Sequence, residues 1–379
     1  ELVNLEFIQI GLSSVKTKLA CSGSLMRAVP RFVNDAGEEF LAKYFPASAN
    51  LLDIHCTVFQ KGASWPVSQR EPSRIIDIAV SREIARGKRV FLDYGSNPAG
   101  FDLDALPQDI QQRYEGEKKA PVADAQRKGA PFHRLREINP DSIAWLKEHG
   151  VDLEVGDAIE IAPAAQHFQG GVKINRLAET TVRNLYAAGE CAGGQHGANR
   201  PGGNALMDCQ VFGKIAGARA AENARARSSE KVTQEMVERC IKSIQHTLEK
   251  PSAESASSVR EKVQSLLSSA AGVIRTEKGL SDAITQVEEL SRAGVRPDEK
   301  GLAFAVETLG ILDTTRMVMG AALRRKESRG PHLFFASPDS PDPLPRNDRD
   351  WREYIVISRR DGQMIFEKKL PVRKPGPDS

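Results

Sequence analysis

One stretch constrains this chain more than any other, the glycine-rich run over residues 186–206. It carries Gly189, Glu190, Gly193, Gly194, Gly197, Asn199, Arg200, Gly202, Gly203 and Asn204 in close succession. The pattern predicts a strand over 184–190 that ends at Gly189 and Glu190, then a glycine loop, then a helix from Asn204 to about Ala224. Successive glycines let backbone N–H groups approach a flat or anionic ligand closely. Asn204 stands where a capping side chain belongs, and a helix N-terminus favours negative charge. Gly213 and Gly217, one turn apart, would let that helix lie tightly on a sheet. Glycine turns also occur in any α/β protein, so the glycines alone leave a plain structural connection as an equal alternative.

The rest of the chain falls into recognisable blocks. The first ten residues alternate like a strand, and 11–18 read as a loop. A turn at 35–37 follows a short strand. Over 73–87, Ile75, Ile76, Ala79, Val80 and Ile84 form an apolar helical stripe, with Ser73 as the cap and Gly87 as the stop. Residues 90–94 form a strand, 102–129 a polar surface helix and loop, and 142–149 a helix. From Val151 the texture changes to short strands, at 158–162 and 172–175. Beyond a hinge at 228–230, Val232, Met236, Cys240, Ile244 and Leu248 recur at helical spacing. Amphipathic stretches at 259–274, 280–290 and 302–325 complete a predicted helical bundle. A proline-rich linker over 337–343 leads to a closing hairpin, 351–357 with 364–370, turning at Asp361 and Gly362.

Composition removes several function classes. The 379 residues suffice for two or three domains. Lys and Arg number 53 against 50 Asp and Glu, with aromatics at 6%, which argues against a nucleic-acid binder. No apolar run approaches the ~20 residues of a membrane span. Cys21, Cys56, Cys191, Cys209 and Cys240 are scattered without a CxxC, so no zinc or cluster site is signalled and no metal is expected. Free thiols fit a reducing compartment, and a cytoplasmic location is expected. Cys191 reads as a small buried filler rather than a redox thiol. The first residues show neither an initiator Met nor a signal peptide, and the chain reads as one entered in mid-fold.

The whole run over 186–206 resembles the FAD-binding signature of the fumarate reductase/succinate dehydrogenase flavoprotein family, which includes aspartate oxidase and adenylylsulfate reductase relatives. Pro201 stands where that signature usually has Leu. Two further blocks match in the right order: Leu5, Glu6, Phe7, Ile8 and Gln9, and the run from Arg325 through Glu327, Ser328, Arg329 and Gly330 to His332, followed by 345–348. The resemblance implies an α+β / α/β multidomain fold. It comprises the C-terminal half of a Rossmann-like FAD-binding domain (1–11 and 156–227), an inserted capping domain (12–155), a helical domain (228–336) and a small C-terminal hairpin (337–379). It implies an N-terminally truncated member, since no Gly-x-Gly-x-x-Gly turn for the ADP half follows a strand near the start.

The resemblance also implies roles residue by residue. FAD would be held by Gln166, His167, Glu190, Asn199, Arg200, Gly202, Gly203, Asn204, Ala205 and Leu206, with Glu190 by the ribityl chain and the helix N-terminus at the pyrimidine edge. Arg200 would grip a substrate carboxylate with two parallel bonds. The alternative for Arg200 is a surface arginine paired to a local acid. His196 would order the loop. An iron–sulfur or other electron-transfer subunit is the implied partner, with membrane association only through such a subunit.

The family's proton-delivery residues are missing. Its cap-domain arginine falls at Ser73, flanked by Arg74 and Arg70. Its Thr-Glu falls at Ser22 and Gly23, and its His-Pro-Thr-Gly at Ile10, Gly11, Leu12 and Ser13. Its His-Tyr appears as Gln166 and His167. The catalytic candidates are therefore Arg200, His167 and Arg74, although a lone loop histidine is as readily a hydrogen-bond partner. The expected function is an FAD-dependent oxidoreductase that passes hydride or electrons between an anionic organic small molecule, other than fumarate or succinate itself, and an electron-transfer partner. The alternatives are a genuine fumarate reductase or succinate dehydrogenase with shifted catalytic residues, a catalytically silent electron-conducting flavoprotein, and a binding module without flavin.

Overall fold

The structure is a computed structural model that describes residues 1–64, 66–226, 232–248 and 252–372. It divides into two compact units, one made of Glu1–Gln9 with everything from His167 onward, the other of Ile10–Gln166.

The inserted unit is built on an antiparallel sheet of four strands, β2 (Ile8–Ser14), β3 (Arg31–Asn34), β4 (Val90–Asp93) and β5 (Ile159–Phe168), in the order β2-β5-β4-β3. Residues 11–14, expected in a loop, extend β2. Leu12 is fully buried there, and the Val15 N–H donates to the Glu160 carbonyl at 2.8 Å, so the chain stays paired. Helix Arg74–Ala85 turns Ile76, Ala79 and Val80 into the core, as its apolar stripe requires. Ser73 precedes it but does not cap it, because its buried hydroxyl pairs with Ser64 Oγ at 2.6 Å. Met26, Phe32, Phe40, Leu92, Leu135 and Ile159 fill the remaining core. Residues 156–166 stay with this unit because β5 pairs with β4 at Leu92↔Ile159 and Val90↔Ile161, whereas the expected boundary lay after 155.

The other unit contains a five-stranded sheet of β1 (Leu2–Val3), β6 (Gly171–Lys173), β7 (Ala192–Gly193), β12 (Tyr354–Arg360) and β13 (Gln363–Lys369), ordered β13-β12-β1-β6-β7. The closing hairpin turns at Asp361 and Gly362, both at positive φ (49° and 78°), the two-residue turn whose twist suits the flanking strands. Helices Ala256–Ala270, Glu277–Ala293 and Gly301–Arg324 pack around Val259, Val263, Leu280, Val287, Leu312 and Met319. Ser255 and Thr276 cap the first two through side-chain oxygens. Two short parallel pairs lace this region, β8 (Glu254–Ser255) with β10 (Val295–Arg296), and β9 (Arg275–Thr276) with β11 (Phe334–Phe335).

Helix Gln234–Leu248 forms at the expected place, yet Met236 and Ile244 remain exposed, so its stripe lies outside the bundle core. The hinge at 228–230 lies outside the described residues. Over 184–190 no regular strand forms. Asn184 takes a left-handed φ of 66°, and a single bridge joins Glu179 to Tyr186.

The helical and C-terminal segments, expected as separate domains, group with the first nine residues through buried charge. Arg325 donates to Glu6 Oε1 at 2.7 Å, to Glu327 Oε1 at 3.0 Å and to the Glu353 carbonyl at 3.0 Å. Arg275 donates to the Glu6 carbonyl at 2.6 Å and to His332 Nδ1 at 2.8 Å, while His332 Nε2 donates to the Arg325 carbonyl. Removing one partner of a buried pair leaves the other charge stranded, which costs about 3–5 kcal/mol. Arg325→Met is therefore expected to lower the unfolding free energy measured in urea by about 3–5 kcal/mol. Arg239→Met, which loses a bridge to Glu235 exposed on both sides, should cost less than about 1 kcal/mol. Equal effects in the two variants would show that the buried cluster is not a stabilising centre.

Candidate functional site

The site is assembled where β5 ends and the glycine loop begins. Alternation along β5 leaves Gln166 exposed and buries His167. Gly170 and Gly171 follow, and β6 pairs in parallel with β7 through Val172↔Ala192 and Lys173↔Gly193. An added Cβ at Gly171 would collide with the Cys191 backbone, so only glycine permits this approach. It brings the short turn Gly189–Cys191 beside the end of β5. The Phe168 N–H donates to Glu190 Oε1 at 2.9 Å, and His167 Nδ1 lies 3.2 Å from Glu190 Oε2. Cys191, expected as a buried filler, is exposed on the outside of this turn.

The loop then carries His196 against His167, edge to face, with ring centroids 5.7 Å apart. Behind it, Asp208 is the one buried residue of helix Asn204–Arg225; its Oδ2 lies 3.8 Å from His196 Nε2 and accepts from Gln195 Nε2 at 3.4 Å. Farther along the loop, Gln9 Nε2 donates to Asn199 Oδ1 at 3.0 Å and to the Arg200 carbonyl at 2.9 Å. Gly330 presses on the loop from the Arg325–His332 segment, with φ +53° and an ideal Cβ position only 2.6 Å from the Ala198 carbonyl oxygen.

Helix Asn204–Arg225 starts as expected, but Asn204 is its first residue rather than its cap. Gly203, at a left-handed φ of 82°, holds the cap position and offers no side chain to the first-turn N–H groups. A Cβ at Gly202 or Gly203 would meet no atom within 4 Å, and Leu206 is exposed. Gly213 and Gly217 likewise meet nothing within 4 Å, so the expected tight packing of this helix is not made among the described residues.

Burial pushes His167 below the usual histidine range, with Arg200 and His196 adding to that and the Glu190 carboxylate opposing it. Burial also lowers His196, against the pull of Asp208 and with the help of Arg200. Both imidazoles are thus neutral at neutral pH beside a guanidinium. Arg200 donates to the Pro201 carbonyl at 3.0 Å and makes no ion pair among the described residues. Buried polar atoms normally have partners. Here Gln9 Oε1, His167 Nε2, Gln195 Oε1, His196 Nε2 and Arg200 Nε are all buried without one.

His167, Glu190, Asn199, Arg200 and the helix start at Gly202, Gly203, Asn204, Ala205 and Leu206 therefore lie in one unit. Gln166 and Arg74 belong to the inserted unit, where the Arg74 guanidinium donates to the Glu71 carbonyl at 3.2 Å. Gln9 and Asp208 received no role from the sequence. The available signals were a buried polar position in an alternating strand and an acid just inside a helix start.

Comparison with known proteins addresses the family directly. The model described as "FAD binding domain" matches residues 5–206, and "Fumarate reductase flavoprotein C-term" matches residues 260–373. The chain belongs to the fumarate reductase/succinate dehydrogenase flavoprotein family. FAD is the cofactor of this family. One subunit of the fumarate reductase (CoM/CoB) of Methanothermobacter marburgensis is 36% identical over 219 residues, which cover 56% of this chain and 38% of that protein. The L-aspartate oxidase of Streptomyces coelicolor is 30% identical over 230 residues, 58% of this chain and 37% of that one. The flavoprotein chain thus spans about two fifths of the length of these curated relatives. The Mycobacterium smegmatis Sdh1 complex in the apo form shares the fold, with a TM-score of 0.66 at 24% identity over 98% of this chain and 56% of that chain.

The Gly330 contact makes a direct prediction for the flavoprotein. In Gly330→Ala the new methyl group meets the Ala198 carbonyl and the backbone keeps a positive φ, so the loop before Arg200 must move. The variant should lose more than about 1 kcal/mol in chemical unfolding and bind FAD more weakly. Wild-type stability and FAD affinity in Gly330→Ala would show that the segment does not brace the loop.

Proposed function

We propose that this flavoprotein is an FAD-dependent oxidoreductase that passes hydride or electrons between an anionic organic substrate and an electron-transfer partner, and that this substrate is neither fumarate nor succinate. The observation that carries the reading is the Arg200 guanidinium, without an ion pair among the described residues, beside two neutral imidazoles, that of His167 buried and that of His196 partly buried, whose Nε2 atoms make no hydrogen bond. The residues fit a bound flavin on the same ground. The orphaned atoms cluster along the glycine loop, and the helix start at Gly203 and Asn204 leaves its N–H groups without a side-chain acceptor.

In this reading Glu190, Asn199, Gly202, Gly203, Asn204, Ala205 and Leu206 line the ring-binding half of the FAD site. When bound, FAD supplies a two-electron carrier. The helix N-terminus stabilises negative charge on what it faces. Arg200 binds a carboxylate, and the Gln9 bond to its carbonyl fixes the backbone from which the side chain projects. His167 exchanges a proton at Nε2. The partner is an electron-transfer protein, iron–sulfur or otherwise, as suggested by relatives named as one component of a fumarate reductase and as an Sdh1 complex. A cytoplasmic location, or attachment through a partner protein, completes the reading. No helix among the described residues is long and apolar enough to cross a membrane.

The matched cap positions support a substrate other than fumarate. Ser73 is buried and tied to Ser64, and Ser22, Gly23 and Gln166 offer no proton donor for neutral pH. Losing positioned acid–base catalysis costs about 10²–10⁴-fold. Protein expressed from its complete reading frame should be yellow and release FAD on denaturation; colourless protein that cannot be reconstituted sinks the flavin reading.

With FAD loaded, reduced viologen plus fumarate and succinate plus a dye acceptor should both give negligible turnover. Rates within tenfold of a typical ~10 s⁻¹ would favour a fumarate reductase with Arg74 or Arg70 as the acid, and Arg74→Ala and Arg70→Ala would then decide between them.

On the physiological substrate, Arg200→Ala should lower kcat/KM by about 10²-fold or more and leave the flavin bound. Arg200→Lys should rescue little, because a point charge cannot make two parallel bonds. Unchanged kinetics in Arg200→Ala would make the arginine structural.

A further inference from the structure

Glu190 occupies an unusual position for a residue assigned only to flavin contact. Both of its carboxylate oxygens are engaged with the last two residues of β5, Oε1 by the Phe168 N–H at 2.9 Å and Oε2 by His167 Nδ1 at 3.2 Å. The Phe168 bond fixes the carboxylate relative to the strand that carries the imidazole, so the two cannot drift apart without breaking the hydrogen bond from the Phe168 N–H to the carboxylate. The carboxylate is 48% exposed and the imidazole 4%. A carboxylate against Nδ1 keeps the proton on that nitrogen and leaves the lone pair on Nε2. That Nε2 is buried and unpartnered.

We propose that Glu190 is a positioning residue for His167, holding the ring in the Nδ1–H tautomer and raising the basicity of Nε2 so that this atom takes up and returns the substrate proton. The proposal rests on the functional reading above, in which His167 exchanges that proton. In the step itself, a substrate X–H bond breaks, its electron pair stays on X, and the proton bonds to His167 Nε2. The imidazolium formed is stabilised by Glu190, and the reverse transfer returns the proton. The groups facing His167 are Glu190 from the Gly189–Cys191 turn and His196 and Arg200 from the glycine loop, with Asp208 behind His196 from the following helix. Glu190 alone among the first three favours the imidazolium; Arg200 and His196 oppose it. The logic is that of a carboxylate orienting a general base, with the nucleophile or substrate on the opposite nitrogen.

Histidine-¹⁵N NMR on the full-length, FAD-loaded protein tests this without requiring turnover, with the His167 signals assigned by their loss in His167→Asn. The wild-type ring should show a protonated Nδ1 and a bare Nε2 above its pKa. Glu190→Gln removes the charge and should move that pKa down. Glu190→Ala also removes the acceptor and should mix the tautomers, and Glu190→Asp should restore part of both. An Nε2–H tautomer in the wild type, or a His167 pKa unmoved in Glu190→Gln, overturns the proposal. Repeating the titration on protein stripped of FAD separates the two readings. A Glu190-dependent tautomer that persists in a protein shown not to bind FAD upholds the pairing and overturns the functional reading alone.

Discussion

The buried contact between Arg325 and Glu6 organises the larger unit. It joins the first residues of the chain to the end of the long helix Gly301–Arg324, and Arg325 extends the connection to Glu327 and to the backbone at Glu353. Arg275 closes the other side on Glu6 and His332. Ions of this kind are costly to remove from water, and they persist inside a protein only where each has well-placed partners. His332 is consistent with that requirement. Burial and the adjacent Arg275 hold it far below its usual pKa, so it is neutral, accepts from Arg275 at Nδ1 and donates at Nε2. The segment so anchored is the one that presents Gly330 to the loop before Asn199 and Arg200. The site thus inherits its position from a charge cluster that does not belong to it.

Close backbone approach is the second constraint. Gly171 lies against the backbone of Cys191, and Gly330 against that of Ala198. These contacts put three segments distant in the chain within reach of one another: the segment that carries Gly330, the stretch after β5 and the glycine loop. Polar side chains then complete the assembly. Gln9 holds Asn199 and the Arg200 backbone, while Glu190 holds His167 and Phe168. The outcome is a pair of neutral imidazoles beside a guanidinium that makes no ion pair among the described residues.

Much of this was legible in the residues. The helix beginning at Asn204, the three helices of the bundle and the hairpin turning at Asp361 and Gly362 follow from periodicity and turn chemistry, both of which act over a few residues. The strand predicted over 184–190 shows where such reasoning stops. Its apolar content is strand-like, yet the left-handed Asn184 and the turn at Gly189–Cys191 reduce it to a bridge. The caps assigned to Ser73 and Asn204 fail for a related reason. Ser73 is drawn to Ser64, and the loop enters the second helix through Gly203, so the hydrogen-bond partner is decided by the path of the chain.

The sequence alone determined the family, the cofactor and the identity of the loop that carries Arg200, because these lie in contiguous runs whose chemistry is local. Only the tertiary structure decided that Glu190 faces His167, that Asp208 lies behind His196, and that Gln9 braces the loop 190 residues away. No periodicity or spacing links such partners. They meet because buried charges and glycine contacts elsewhere leave the backbone a single way to pass, and a buried polar group then bonds to whatever that path brings within reach.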